Sequence, residues 1–131
     1  MGVYKIKIAV ADDNEEMLLL FKDILEPEFE VVAAVGNGPD LLKSVKDLHP
    51  DVIIVDINMP EMSGFEVTRE ILKDDLEARI ILLTAHKDRQ IVEEGFSVGA
   101  KGFVLKLTAD DDLADAVREI TQGNIYVSPS I

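Results

Sequence analysis

Short apolar runs alternate with amphipathic segments along the whole chain, and few folds satisfy that alternation. Lys5 to Ala11, Phe29 to Val35, Val52 to Val55, Ile80 to Thr84 and Gly102 to Leu105 read as strands. Between the first two, Met17, Leu20, Phe21, Ile24 and Leu25 follow the i, i+3, i+4, i+7, i+8 spacing of one helix face. Asn14 is placed to cap that helix, Glu15 and Glu16 suit its dipole, and Pro27 stops it. Further helices are expected from Pro39 to Leu48, from Phe65 to Asp75 and from Asp88 to Val98, the last weakened by Gly95. Thr108 opens the final helix, with Asp111 three residues on in a capping-box-like arrangement. Leu113, Val117 and Ile120 give it an apolar face, and Gly123 ends it. The stretch Tyr126 to Ile131 loses periodicity and reads as the start of a linker.

Strands that alternate with helices imply a parallel sheet covered on both faces, an α/β fold in three layers. The first, third and fourth strands are nearly continuous apolar runs, as strands buried on both sides must be. In such a sheet a ligand site lies beyond the carboxyl ends of the strands. Asp12 and Asp13 follow the first strand, Asp56 the third, Thr84 closes the fourth, and Lys106 follows the fifth. The sheet would gather three carboxylates, a hydroxyl and an ammonium at one edge. That set fits a magnesium ion beside a phosphorylated aspartate.

Each residue alone has an ordinary reading. Asp12-Asp13-Asn14 would be a helix cap, Thr84 a turn cap and Lys106 a surface lysine. A calcium loop of the EF-hand kind is excluded, because Met17 stands where its glycine belongs. Asp56 is harder to set aside, since a carboxylate ending a buried strand is costly unless paired or metal-bound. Gly36-Asn-Gly38 lacks the third glycine of a dinucleotide fingerprint and reads as a turn. Asp110 to Asp112 suits a helix N-terminus, and His49 before Pro50 reads as a surface residue. His86, two residues past Thr84, has two open readings, one facing the pocket and one on the surface.

Composition narrows the function classes. A chain of 131 residues with 47% hydrophobic residues is one domain with a core of its own. Its formal net charge of −13 makes a poor surface for nucleic-acid phosphates. No apolar run approaches the roughly 20 residues of a membrane span, and no signal peptide is visible. Met1-Gly2 hints at myristoylation, but Ile6 stands where Ser or Thr is wanted. The absence of cysteine is compatible with a reducing cytoplasm, the expected location.

Taken together, Asp12-Asp13, Val55-Asp-Ile-Asn-Met-Pro-Glu-Met-Ser-Gly64, Thr84-Ala85 and Gly99-Ala-Lys-Gly-Phe-Val-Leu-Lys106 resemble the receiver (CheY-like) domain of two-component response regulators. The resemblance covers nearly the whole chain. The run ending in Lys106 and the closing Gly123-Asn-Ile-Tyr-Val-Ser-Pro129 are most similar to receivers of the NarL/FixJ (LuxR-type) family. It implies a flavodoxin-like (βα)5 fold, doubly wound, with a five-stranded sheet of order 2-1-3-4-5. Residues 1–126 would form the receiver, and 127–131 would begin a linker to a helix-turn-helix DNA-binding domain outside this chain.

The resemblance also assigns roles. Asp56 would accept a phosphoryl group from a sensor histidine kinase or a small donor. Mg²⁺ would be held by Asp13, Asp56 and the Asn58 backbone carbonyl, with Asp12 acting through water. Thr84 and Lys106 would bind the phosphoryl oxygens. Thr84 and Phe103 would move inward as the switch, biasing the surface of the fourth helix, fifth strand and fifth helix towards a dimerising form. Asn58 and His86 would tune dephosphorylation. Many receivers carry a cis proline after the lysine, but here Leu107 follows, and a non-proline cis bond costs about 2.5–4 kcal/mol. Both isomers of that bond stay open.

Rivals come from other classes. A haloacid-dehalogenase-type phosphatase needs a second aspartate two residues after its nucleophile, where this chain has Asn58, and it also needs a cap domain. A pseudo-receiver acting only as an interaction module would lack Asp56, Lys106 or the acidic pair, and all are present. A stand-alone receiver acting through protein contacts differs from the amino-terminal part of a transcription factor only in the length of the natural product.

Overall fold

The apolar runs become the strands of one parallel sheet in the computed structural model, which describes residues 4–131. The Met1-Gly2 reading lies outside the described residues. The chain runs β1 (Lys7–Ala11), α1 (Glu15–Leu25), β2 (Glu30–Val35), α2 (Gly38–Leu48), β3 (Val52–Asp56), α3 (Gly64–Asp74), β4 (Ile80–Thr84), α4 (Arg89–Val98), β5 (Gly102–Leu105), a 3₁₀ turn (Lys106–Thr108), α5 (Ala109–Thr121) and β6 (Tyr126–Val127). The sheet order is β2-β1-β3-β4-β5-β6, with every pairing parallel.

The period of two along each strand sorts the core into two layers. Ile8, Val10, Ile54, Leu83 and Val104 face α1 and α5, where Phe21, Leu113 and Val117 meet them. Ala9, Ile53, Val55, Leu82 and Phe103 face the other side, where Leu41, Val67 and Ile71 from α2 and α3 close the core. β3 and β4 are buried along their whole length, so they had to be written as unbroken apolar runs.

Register places the polar strand ends together. Ala11 pairs with Val55, which leaves Asp12 and Asp56 as the next residues of neighbouring strands. Asp56 pairs with Leu83 and Thr84 with Leu105, so Lys106 emerges one residue beyond Thr84.

Local chemistry sets the element ends. The Asn14 side chain accepts from the Glu16 and Met17 amides and starts α1, as expected. Asn37 caps α2 with Pro39 in its first turn, and Ser63 and Asp88 cap α3 and α4. Gly99, at φ 108°, ends α4 in the left-handed region that favours glycine.

Four expectations need correction. Among the described residues the sheet has six strands, because Tyr126 and Val127 pair with Gly102 and Phe103. Tyr126 and Val127, at the start of the segment that loses periodicity, are therefore strand. Two residues are too few to show a periodicity, which is why the pattern was invisible. Leu20 is 41% exposed, and α1 packs through Met17, Leu18, Phe21, Ile24 and Leu25. Thr108 makes no capping bond to α5. The 3₁₀ turn leaves Thr108 outside the extended region a cap needs (ψ 16°), and its hydroxyl donates to Asp112 Oδ2 at 2.6 Å. The first strand begins at Lys7, two residues later than the pattern suggested. Among the described residues no cis peptide bond occurs, so Lys106–Leu107 is trans.

Candidate functional site

The site is built from four strand ends. Asp12 is fully buried, its amide donating to the Val35 carbonyl of β2 at 3.0 Å and its Oδ1 accepting from the Asn14 amide at 2.9 Å. One bond ties it to the sheet and the other to the start of α1, so its carboxylate has a fixed position. Asp13, the next residue, is exposed. Asp56 is 2% exposed, and its Oδ1 accepts from the Asn58 amide at 3.1 Å. Lys106 spans the pocket, with Nζ 2.7 Å from Asp56 Oδ2 and 3.0 Å from Asp12 Oδ2. The second contact is a charge contact without hydrogen-bond alignment, and it leaves Asp12 Oδ2 as a buried oxygen with spare acceptor capacity.

The electrostatics ask for a further cation. Burial pushes the Asp56 carboxyl above the usual carboxylate range; Lys106 and the Asn58 amide pull it down, and Asp12 adds to the rise. Burial works against the charge on Lys106, but its contacts with Asp56 and Asp12 outweigh that and hold the ammonium above its ordinary range. Three carboxylates thus face one ammonium. Oxygens of Asp12, Asp13 and Asp56 all lie within 4.8 Å of one another, and hard oxygen donors in that number suit a small divalent cation. The residues present fit Mg²⁺ in donor type, charge and the spare Asp12 oxygen.

The loop from Ile57 to Ser63 covers one side of the pocket. It folds back onto β3 through the Gly64 amide, which donates to the Ile57 carbonyl at 2.9 Å. A Cβ on Gly64 would stand 2.6 Å from the Asp56 carbonyl oxygen, so only glycine lets α3 begin against the strand that carries Asp56. Sequence reasoning treated Gly64 only as a turn residue, and its position eight residues after Asp56 was the available signal. Asn58 is exposed at the mouth of the pocket.

Thr84 is buried at the end of β4, where its hydroxyl accepts from the His86 amide at 3.1 Å and donates to the His86 carbonyl at 3.4 Å. His86 therefore meets Thr84 through its backbone, while the residue as a whole is exposed. Phe103 is already fully buried, its ring centroid 5.7 Å from that of Phe96 at an angle of 56°. Sequence reasoning also missed Ser128, which is 1% exposed and bonded to the Leu105 amide at 2.9 Å. It lies in the closing Gly123–Pro129 run, which marked the resemblance without pointing to a role for the serine.

A cleft of about 430 Å³ opens at the opposite end of the strands, lined by Leu42, His49, Pro50, Asp75 and Arg79 among others. It is remote from Asp56, and side chains of both charge signs line it. Among the described residues no helix is long and apolar enough to cross a membrane.

Known proteins resemble this chain in sequence and fold. A family model described as the response regulator receiver domain matches residues 8–118. The chain is 37% identical over 129 residues to the transcriptional regulatory protein DegU of Brevibacillus brevis, covering 97% of this chain and 55% of that protein. It is 36% identical to the chemotaxis protein CheY of Bacillus subtilis, covering 86% of this chain and 95% of that protein. It thus spans about half the length of DegU but nearly the whole of CheY. A LuxR-family two-component response regulator from Aurantimonas sp. SI85-9A1 superposes with a TM-score of 0.93 at 28% identity, covering 98% of this chain and 93% of that one. The signal receiver domain of the response regulator NarL from Mycobacterium tuberculosis gives 0.88 at 28% identity, covering 93% and 100%.

Proposed function

The chain belongs to the response regulator receiver domain family, and from that premise we propose that Asp56 is the phosphoacceptor of a two-component signalling pathway. The observation that carries this is a nearly fully buried carboxylate at a strand end, bonded to Lys106 at 2.7 Å and clustered with Asp12 and Asp13.

An Asp56 oxygen attacks the phosphorus of a phosphohistidine on a sensor histidine kinase, or of a small acyl phosphate. The bond from phosphorus to the leaving imidazole or carboxylate breaks as the acyl phosphate on Asp56 forms. Asp13, Asp56 and the Asn58 backbone carbonyl would hold Mg²⁺, with Asp12 acting through water. When bound, the ion neutralises the carboxylates and the charge on the phosphoryl oxygens. Lys106, which grips Asp56 Oδ2 beforehand, turns to a phosphoryl oxygen afterwards. Thr84 exchanges its bonds to the His86 backbone for another phosphoryl oxygen. Because Phe103 is already inward, the displacement falls on Thr84 and on the exposed segment from Ala85 to Gln90 that leads into α4. That shifts the surface of α4, β5 and α5 towards a homodimerising form.

The chain acts as a signalling domain, and its chemistry is limited to self-phosphorylation from small donors and slow loss of the phosphoryl group, at a rate set by Asn58 and His86. DNA is reached through a further helix-turn-helix domain joined after residues 127–131, in keeping with relatives named as transcriptional regulators. The location is the cytoplasm, with no membrane contact. The test is intact-mass measurement after incubation with acetyl phosphate and Mg²⁺. Wild type gains one phosphoryl group and Asp56→Asn gains none; stoichiometric labelling of Asp56→Asn refutes the assignment.

A further inference from the structure

We propose that Ser128 is a positioning residue for Lys106, which makes the segment after α5 part of the phosphoryl-transfer machinery; this rests on the phosphoacceptor reading of Asp56. Lys106 must reach Asp56 Oδ2 at 2.7 Å and Asp12 Oδ2 at 3.0 Å, and its direction depends on where β5 ends. After Leu105 the chain turns at once into the 3₁₀ turn Lys106–Thr108, whose start has no side-chain cap. β4 holds β5 from one side, with Thr84 opposite Leu105. On the other side the edge of β5 would leave the Leu105 amide and the Phe103 carbonyl bare. Buried backbone groups of that kind require partners.

Ser128 supplies both. Its amide donates to the Phe103 carbonyl at 2.9 Å, and its Oγ accepts from the Leu105 amide at 2.9 Å. One side chain from the tail therefore fixes the residue immediately before Lys106. The far end of the turn is held from α5. Tyr126 lies beside Asp112, and Asp112 Oδ2 accepts the Thr108 hydroxyl at 2.6 Å. The tail itself is closed by the Ile131 amide, which donates to the Ser128 carbonyl at 3.0 Å. The turn that carries the ammonium is thus held at its start by Ser128, which follows α5, and at its far end by Asp112 of α5 itself.

Two consequences separate this role from ordinary packing. The carboxylates of Asp12, Asp13 and Asp56 stand on β1 and β3, away from β6, so loss of the Ser128 hydroxyl should leave Mg²⁺ affinity alone. Linkage also requires the reverse effect: if the tail positions Lys106, then drawing Lys106 onto a phosphoryl group must alter the tail.

The experiment uses the intact chain with acetyl phosphate and Mg²⁺. Initial rates come from intact mass, and Mg²⁺ affinity comes from calorimetry. Ser128→Ala should form phosphoprotein about fivefold more slowly or worse, Ser128→Thr within about twofold of wild type, and both should bind Mg²⁺ as wild type does. Amide hydrogen exchange on wild type is the second measurement. Leu105 and Ser128 should change their exchange rates several-fold on phosphorylation, which keeps the idea testable if Ser128→Ala does not fold. Wild-type rates in Ser128→Ala overturn the proposal and leave Asp56 as phosphoacceptor untouched. Loss of rate and Mg²⁺ affinity together, without rescue by threonine, overturns it in favour of a merely structural serine. Unchanged exchange at Leu105 and Ser128 overturns it as well. No labelling of wild type refutes the reading of Asp56 and takes this inference with it.

Discussion

The Phe103 ring occupies the space that a side chain at residue 95 would take: a Cβ built on Gly95 falls 2.1 Å from Phe103 Cζ and 2.9 Å from a methyl carbon of Leu82. A glycine inside a helix costs about 1 kcal/mol relative to alanine. Here that cost is the condition for an aromatic ring with 0% exposure. Overpacking a buried site costs about 1–3 kcal/mol, which outweighs the helix gain. Gly95→Ala should therefore lose about 1–2 kcal/mol in urea denaturation. In a Phe103→Leu background the same change should become neutral or stabilising by up to about 1 kcal/mol. A loss of equal size in both backgrounds would show that the ring is not what Gly95 accommodates.

That pair also shows where sequence reading stopped. β1, β3 and β4 were legible because strands buried on both faces must be apolar throughout, and the site was legible because strand ends in a parallel sheet share one edge. The sequence pattern singles out Asp12, Asp56 and Lys106 with no distance to link them, and the structure places Lys106 Nζ within 3.0 Å of an oxygen of each carboxylate. Gly95 was read as a weakness of α4 because a glycine's reason lies in another element. β6 went unseen because its two residues gain order only from pairing with β5. Leu20 was placed inside on spacing alone, whereas Leu18, outside the spacing template, is the residue that packs on the core.

Asp13 separates ion binding from fold stability. It is the exposed member of a carboxylate cluster that, among the described residues, is paired with Lys106 alone. Asp13→Asn removes a ligand and one repelling charge together. Mg²⁺ affinity should fall about tenfold or more, which is about 1.4 kcal/mol. Without Mg²⁺ the variant should be no less stable than wild type to urea. Calorimetric titration and denaturation on the same sample check both halves, and an unchanged Mg²⁺ affinity removes Asp13 from the ligand set.

His86 is tested most cleanly by alanine. The two contacts with Thr84 use the His86 backbone amide and carbonyl, so His86→Ala keeps them and alters only the imidazole. If the ring shields the phosphorus or orients a water, the half-life of phosphorylated Asp56 should change several-fold, about 1 kcal/mol in barrier height, while phosphorylation itself survives. The measurement is decay of the phosphoprotein in Mg²⁺ buffer after removal of the donor. Identical decay in the two proteins would assign His86 to the solvent.

Tyr126 reports whether β6 stays docked. Burial, and after it the negative charge of Asp112 and Asp115, push its phenol up to about 12 from an ordinary value of 10.0. The raised value means that the fold prefers the un-ionised phenol. Its contribution to stability is complete below about pH 10 and is lost as the pH rises towards about 12. The chain has two tyrosines, so Tyr4→Phe leaves Tyr126 as the single phenol to titrate. In that protein, phenolate absorbance at pH 11 should remain well below half its final value while circular dichroism is still native. Adding Asp112→Asn should lower the midpoint, since it removes the charge that acts next after burial. A midpoint near 10 in folded Tyr4→Phe protein would mean that Tyr126 is not seated against the sheet. The bonds of Ser128 to Phe103 and Leu105 would then lack the strand that delivers them.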